Sequence, residues 1–310
     1  MNRPSLHSPL NHAPLHALPC VLALMFNAFV WGMSWWPLRQ LEQAGLHPLW
    51  ATALIYLLSL CVTLALRPGA LGGLLRHRGL WLLSLGAGMT NVCFNWAVTV
   101  GDVVRVVLLF YLMPVWSALL AWWLLGERPR LASLLRMALA LAGVAVVLKA
   151  PGVDWPVPES MADWLALGGG ASFALTNVLL KRNSGAPAES RVLAMFGGGS
   201  VLSCATAALG VAQGHISPLP AAAPGWLLLA AGLSMAYLLG NVALQYGASR
   251  LAASTTSLVM LSEVLFASAS SVLLGAAELP LRVWLGGALI VAAAAWQALT
   301  PGADADGSGH

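Results

Sequence analysis

Charge is what this sequence has least of. Only 8% of its 310 residues are Asp, Glu, Lys or Arg, against about a quarter in an ordinary soluble domain. With 59% hydrophobic residues and a mean hydropathy of +0.80, too little polar surface remains to coat a water-soluble fold, whereas lipid accepts an apolar exterior. Cysteine is scarcer still. Cys20, Cys61, Cys93 and Cys204 stand singly in or beside apolar runs without a C-x-x-C pair, which argues against a metal site or a disulfide framework and for small buried hydrophobes. No basic stripe exists either: the net charge of +4 comes from Lys and Arg scattered singly or in pairs, so nucleic acid is not an expected partner. No short apolar stretch precedes the first long one, which argues against a cleaved signal peptide. His7, His12 and His16 sit among Pro, Ser and Asn with no Cys or carboxylate beside them, so residues 1–18 read as a disordered N-terminus and not as a metal tract.

What the chain does have is long apolar runs. A spanning helix needs about 20 mostly apolar residues, and Pro, Gly and charged punctuation divides the chain into ten such segments: 19–38, 47–66, 80–100, 103–124, 131–150, 162–181, 191–212, 224–245, 252–274 and 282–300. The predicted fold is therefore an all-α polytopic membrane protein with ten transmembrane helices, whose partner is the lipid bilayer. Cytoplasmic loops carry the excess of Lys and Arg. Alternate loops hold eleven cations on one side (Arg3; Arg67, Arg76, Arg78; Arg128, Arg130, Arg136; Lys181, Arg182, Arg191; Arg250) and four on the other (Arg39, Arg105, Lys149, Arg282). That asymmetry places both termini, including the tail 301–310, in the cytoplasm.

The two halves resemble each other. WGMSWWPLR at Trp31–Arg39 aligns with FALTNVLLK at Phe173–Lys181, Asn91 aligns with Asn241, and LLGERP at Leu124–Pro129 aligns with LLGAAELP at Leu273–Pro280, bringing Glu127 onto Glu278. The repeat units are 19–150 and 162–300, five spans each. Because five is odd, the second unit enters the membrane from the opposite side, an inverted repeat suited to alternating access around a central site.

The most specific segment is GDVVRVVLLFYLMPVWSALLAWWLLGERP at Gly101–Pro129. It resembles the fourth span of the EamA-type branch of the drug/metabolite transporter (DMT) superfamily, in which a mid-helix proline precedes a Gly-Glu turn, and the resemblance extends over residues 19–300. The second copy, Ser257–Pro280, lacks that proline and has Glu263 where Pro114 would fall. The resemblance implies two inverted five-helix repeats in the plasma (inner) membrane. It also implies a secondary transporter, not an enzyme, moving a small polar metabolite, often outward, without a cofactor. Substrate identity does not transfer with it.

Glu263 is the only carboxylate near the centre of a predicted span, where an acid costs about 2.5–3.5 kcal/mol to insert. Either it binds a proton or a cationic substrate group, giving a route to proton coupling, or it is a neutral packing residue. Asn91 and Asn95 on the third span share a face, as do Tyr237, Asn241 and Gln245 on the eighth. Their polar groups could meet a substrate, or serve as interhelical glue worth about 0.6 kcal/mol each. Trp31, Ser34 and Trp35, beside Asn27, make a second polar patch on the first span, and Ser172, Thr176 and Asn177 make one on the sixth. With Trp31 and Trp35, Tyr111 lies deep enough for an aromatic-lined pocket, with lipid-facing packing as the alternative. Arg105 either attracts an anionic group or snorkels; Pro114 should kink its helix and offers a hinge. The rival function is an integral membrane enzyme or a flippase acting on a lipid-linked substrate. Short loops disfavour the enzyme, and the one acidic cluster, Asp154, Glu159 and Asp163, lacks a histidine.

Overall fold

The computed structural model describes residues 13–126, 131–148, 158–251, 253–275 and 280–299. Most of the N-terminal segment, the tail, Glu127, Asp154 and Glu278 lie outside the described residues. Among those described, regular structure is helical throughout, with no strand. The helices are α1 Ala13–Gln43, α2 Pro48–Leu66, α3 Ala70–Arg76, α4 Gly79–Val100, α5 Val103–Phe110, α6 Met113–Leu125, α7 Leu131–Leu148, α8 Met161–Arg182, α9 Ala188–Ala212, α10 Pro224–Ala248, α11 Ala253–Met260, α12 Ser262–Leu273 and α13 Leu281–Leu299. A helix satisfies its own backbone, which is what an apolar solvent requires. Local signals set several ends. Asp102 caps α5 by accepting from the Arg105 N–H at 2.8 Å, Ser160 and Asp163 form a reciprocal capping box on α8, and Gly126 closes α6 at φ 71°.

Among the described residues, four helical stretches are long and apolar enough to cross a membrane: Leu18–Gln43, Pro48–Leu66, Ala188–Ala212 and Pro224–Ala248. Two expected spans differ from the sequence reading. The segment 103–124 is not one kinked helix but two, α5 and α6, separated at Tyr111 and Leu112. Pro114 is not the kink, because it occupies the first turn of α6, where a missing N–H removes no helical bond. The segment 252–274 is likewise divided at Leu261 into α11 and α12, and Glu263 takes the second position of α12, as Pro114 does of α6.

Helix α1 packs against α10 and α12, and α8 packs against α4, α5 and α6; α2 lies on α9, and α7 on α13. Close crossings need glycine. At Gly32 on α1, an added Cβ would fall 2.9 Å from the Glu263 carbonyl oxygen, so only glycine lets α1 lie directly on the start of α12.

Candidate functional site

The two helix breaks meet. Tyr111, the residue after α5, reaches across to the α11–α12 break, where its hydroxyl oxygen lies 2.8 Å from the Met260 carbonyl oxygen and 2.5 Å from Glu263 Oε2. Both side chains are buried, Tyr111 at 1% exposure and Glu263 at 3%. The other carboxyl oxygen, Oε1, has no hydrogen-bond partner, and neither does the hydroxyl of buried Tyr237 on α10. Trp31 on α1 stacks on Tyr237 with ring centroids 4.5 Å apart and meets Phe94 of α4 edge-on at 5.7 Å. Ser34 donates to the Trp31 carbonyl at 2.7 Å and lies beside Tyr237. Five of the expected residues, Trp31, Ser34, Tyr111, Tyr237 and Glu263, therefore form one centre. Trp31 is half-buried.

Trp35 stands one turn along α1 from Trp31 and is structural. Its Nε1 donates to Ser270 Oγ of α12 at 2.9 Å, and the Arg39 guanidinium sits 5.4 Å from its ring centroid. Ser270→Ala removes the acceptor and little volume, so a loss of about 1 kcal/mol is expected. Differential scanning fluorimetry checks it; an unchanged melting temperature would show that the indole N–H does not hold α1 to α12.

The amides of α4 and α10 bond to neighbouring helices. The Tyr56 hydroxyl of α2 donates to Asn91 Oδ1, and Asn95 Nδ2 donates to Thr52 Oγ1 at 2.9 Å. On α10, Asn241 Nδ2 points to Met195 Sδ of α9 at 3.5 Å, and Gln245 Nε2 donates to Asn241 Oδ1 at 2.9 Å. These contacts are the interhelical kind, α4 to α2 and α10 to α9. Thr176 returns its hydroxyl to the Ser172 carbonyl at 2.9 Å. Beside it, Asn177 is 1% exposed, with both amide atoms unpartnered.

Arg105 neither snorkels nor stands open. Its Nε and Nη2 each donate at 3.0 Å to the two oxygens of Asp163 on α8, a bidentate pair. Asp163 is held by its own backbone bonds, accepting from the Glu159 and Ser160 N–H groups. Nearby, Arg39 Nη2 donates to the Gly101 carbonyl at 2.9 Å. The α4–α5 connection is thus tied to the end of α1 and the start of α8.

Residues 18–149 match the model of the EamA-like transporter family. That family belongs to the DMT superfamily, and residues 18–149 are what resembles it. A crystal structure of another protein, 18% identical, aligns over 91% of this chain and 97% of its own with a TM-score of 0.69; at that identity the likeness speaks for the fold alone. No curated protein matches the sequence.

In this multi-pass membrane protein, sequence reasoning missed the partners more than the principals. Ser270, Thr52, Met195 and the Met260 carbonyl carried no signal, because each acts through a residue distant in the chain, and Asp163 stood out only as part of an acidic cluster, not as the partner of Arg105. A groove of about 500 Å³ opens on the surface between α6 and α8, lined by Trp116, Leu119, Leu120, Trp123, Ala171, Ser172 and Leu175. It is nearly all apolar and is separate from the Glu263 centre.

Proposed function

We propose that this protein is a secondary transporter that moves a small polar metabolite by alternating access around the Glu263 centre. The observation that carries this reading is a buried carboxylate with a free oxygen, set where two interrupted helices cross. Interrupted helices supply polar backbone ends inside an otherwise apolar bundle, and transporters use such ends for binding.

The ten-span arrangement as two inverted five-helix repeats is part of the reading. Exchanging each helix of one half for its counterpart in the other converts the pair α1–α10 into α8–α4, and α1–α12 into α8–α6; α2–α9 and α7–α13 map onto themselves. Asn91 with Tyr56 and Asn241 with Met195 repeat the same anchoring in each half. The positive-inside asymmetry supports cytoplasmic termini in the plasma (inner) membrane, and the family resemblance supports outward transport. Glu263 supplies a group that protons can occupy in one half of the cycle.

Reconstituted protein is expected to show counterflow of its solute, and Glu263→Gln to slow it by about a hundredfold, equivalent to roughly 2.7 kcal/mol. Screening amino acids, sugars, nucleotides and polyamines by melting temperature finds the solute, since a ligand of the native state stabilises it. Full transport by Glu263→Gln would remove Glu263 from the mechanism. A folded protein that carries no solute would return the field to a lipid-linked substrate.

A further inference from the structure

We propose that the central site takes a singly charged organic cation, an ammonium group without an accompanying carboxylate, in exchange for a proton held on Glu263. This rests on the carrier reading above and names its substrate class.

The first support is a count of protons. Tyr111 has one hydroxyl proton, yet its oxygen lies within hydrogen-bond distance of two groups, the Met260 carbonyl and Glu263 Oε2. A carbonyl only accepts. Both contacts are hydrogen bonds at once if Glu263 brings a proton of its own: the acid donates to Tyr111, and Tyr111 donates to Met260. The arrangement is that of a neutral acid awaiting its ligand.

The second support is a count of charges. The titratable groups facing Glu263 are Tyr111 from the end of α5 and Tyr237 from α10. On α11, the residue in contact is Met260. The cations of the packed helices stand at helix ends: Arg39 is seven residues along α1 from Gly32, and Arg105 six residues along α5 from Tyr111, each about 10 Å of helix. Arg282 is in the first turn of α13. Among the described residues nothing positive pairs with Glu263, so its ionised form needs a cation from outside, because an unpaired buried charge is strongly destabilising.

The third support is what the centre lacks. A zwitterion would need a place for its carboxylate. Glu263 itself stands in the first turn of α12, where a second carboxylate would meet a like charge once Glu263 ionises, and α6 begins with Pro114 in its first turn, which removes one of its free N–H donors. The ends of α5 and α11, by contrast, are C-terminal and carry partial negative charge.

The exchange balances. As the ammonium group approaches, the Glu263 proton leaves to solvent, and the Tyr111 proton turns from Met260 to Glu263 Oε2. The ammonium then donates to Oε1, to the freed Met260 carbonyl and to the Tyr237 hydroxyl. One proton leaves for each cation bound.

The test uses the full-length protein in nanodiscs with four probes on one frame: phenylethylamine, phenylalanine, 3-phenylpropionate and 2-phenylethanol, followed by the same four charge forms on a butyl chain. Only the amines are expected to raise the melting temperature and to release about one proton per protein into weak buffer, with apparent affinity rising about tenfold per pH unit. Glu263→Gln should release none. Tyr237→Phe should weaken binding while keeping the release, so the outcome does not depend on the Gln variant folding. Zwitterions binding as well as amines, or amines binding without proton release, would overturn the assignment. If proteoliposomes carry the zwitterionic or neutral probes and not the amines, the carrier reading survives and the cation assignment falls. If folded protein neither binds nor carries any of them, both fall.

Discussion

Gly198→Val is expected to abolish the folded protein, while Gly197→Val is expected to leave it nearly intact. The two glycines are adjacent in the run Gly197–Gly199 and share a helix, so propensity does not distinguish them. A Cβ at Gly198 would fall on the Ser84 carbonyl of α4, and one at Gly88 of α4 would meet the Gly198 carbonyl 2.5 Å away. Here α4 and α9 touch backbone to backbone. At Gly197 the only neighbour of a Cβ is Leu60 Cδ1 at 3.8 Å, an ordinary contact. Forcing bulk into a close-packed contact costs about 1–3 kcal/mol when side chains can yield. A carbonyl within a helix cannot yield, so the cost exceeds that range. Size-exclusion chromatography in detergent checks it: the Gly197 variant should run as a single peak and the Gly198 variant should not. Equal damage from both would mean that helix propensity, not the α4–α9 contact, governs this segment.

The second large effect is expected at the Arg105–Asp163 pair. In the orientation proposed above it lies at the outer end, where it ties α5 to α8. Breaking it should favour opening on that side. Asp163 is 3% exposed but the Arg105 side chain 29%, so solvent screens part of the attraction and a cost of about 1.4 kcal/mol is reasonable, a tenfold change in population. Cys93 on α4 is a natural reporter, because it is buried against Gly168 and Gly169 of α8, about 8 Å along that helix from Asp163. With Cys20, Cys61 and Cys204 replaced by serine, both Arg105→Gln and Asp163→Asn should speed labelling of Cys93 by an impermeant maleimide about tenfold. Asp163 also caps α8, whereas Arg105→Gln leaves that cap whole. Faster labelling in the Asp163 variant alone would assign the effect to the cap, and unchanged labelling in both would remove the latch from the gating.

Much of the centre could be read in the chain because burying a polar group in lipid is expensive, and expense marks function or pairing. Glu263 stands out on that ground, Tyr237 by the face it shares with Asn241 and Gln245, and Tyr111 as a deep aromatic, and the three stand together. The amides at Asn91, Asn95, Asn241 and Gln245 were visible by the same logic, but the choice between substrate and neighbouring helix depends on what lies opposite. Opposite lie Tyr56, Thr52 and Met195. Pro114 misled for a related reason: proline in an apolar run signals a departure from regular helix, but whether it kinks one helix or begins another depends on where the preceding helix ends.

Composition and periodicity determined that this chain is helical and lives in a bilayer, because both follow from the solvation of each residue by itself. They also set the approximate positions of the apolar segments and the asymmetry of charge between alternate loops. Only the tertiary structure decided that α5 and α11 stop short, that their ends meet, and that Tyr111 and Glu263, 152 residues apart, share a proton's distance. It also decided that Arg105 faces Asp163. The physical reason is that pairing energies belong to two groups at once, and which two are adjacent is fixed by how helices cross, down to whether a glycine allows their backbones to touch.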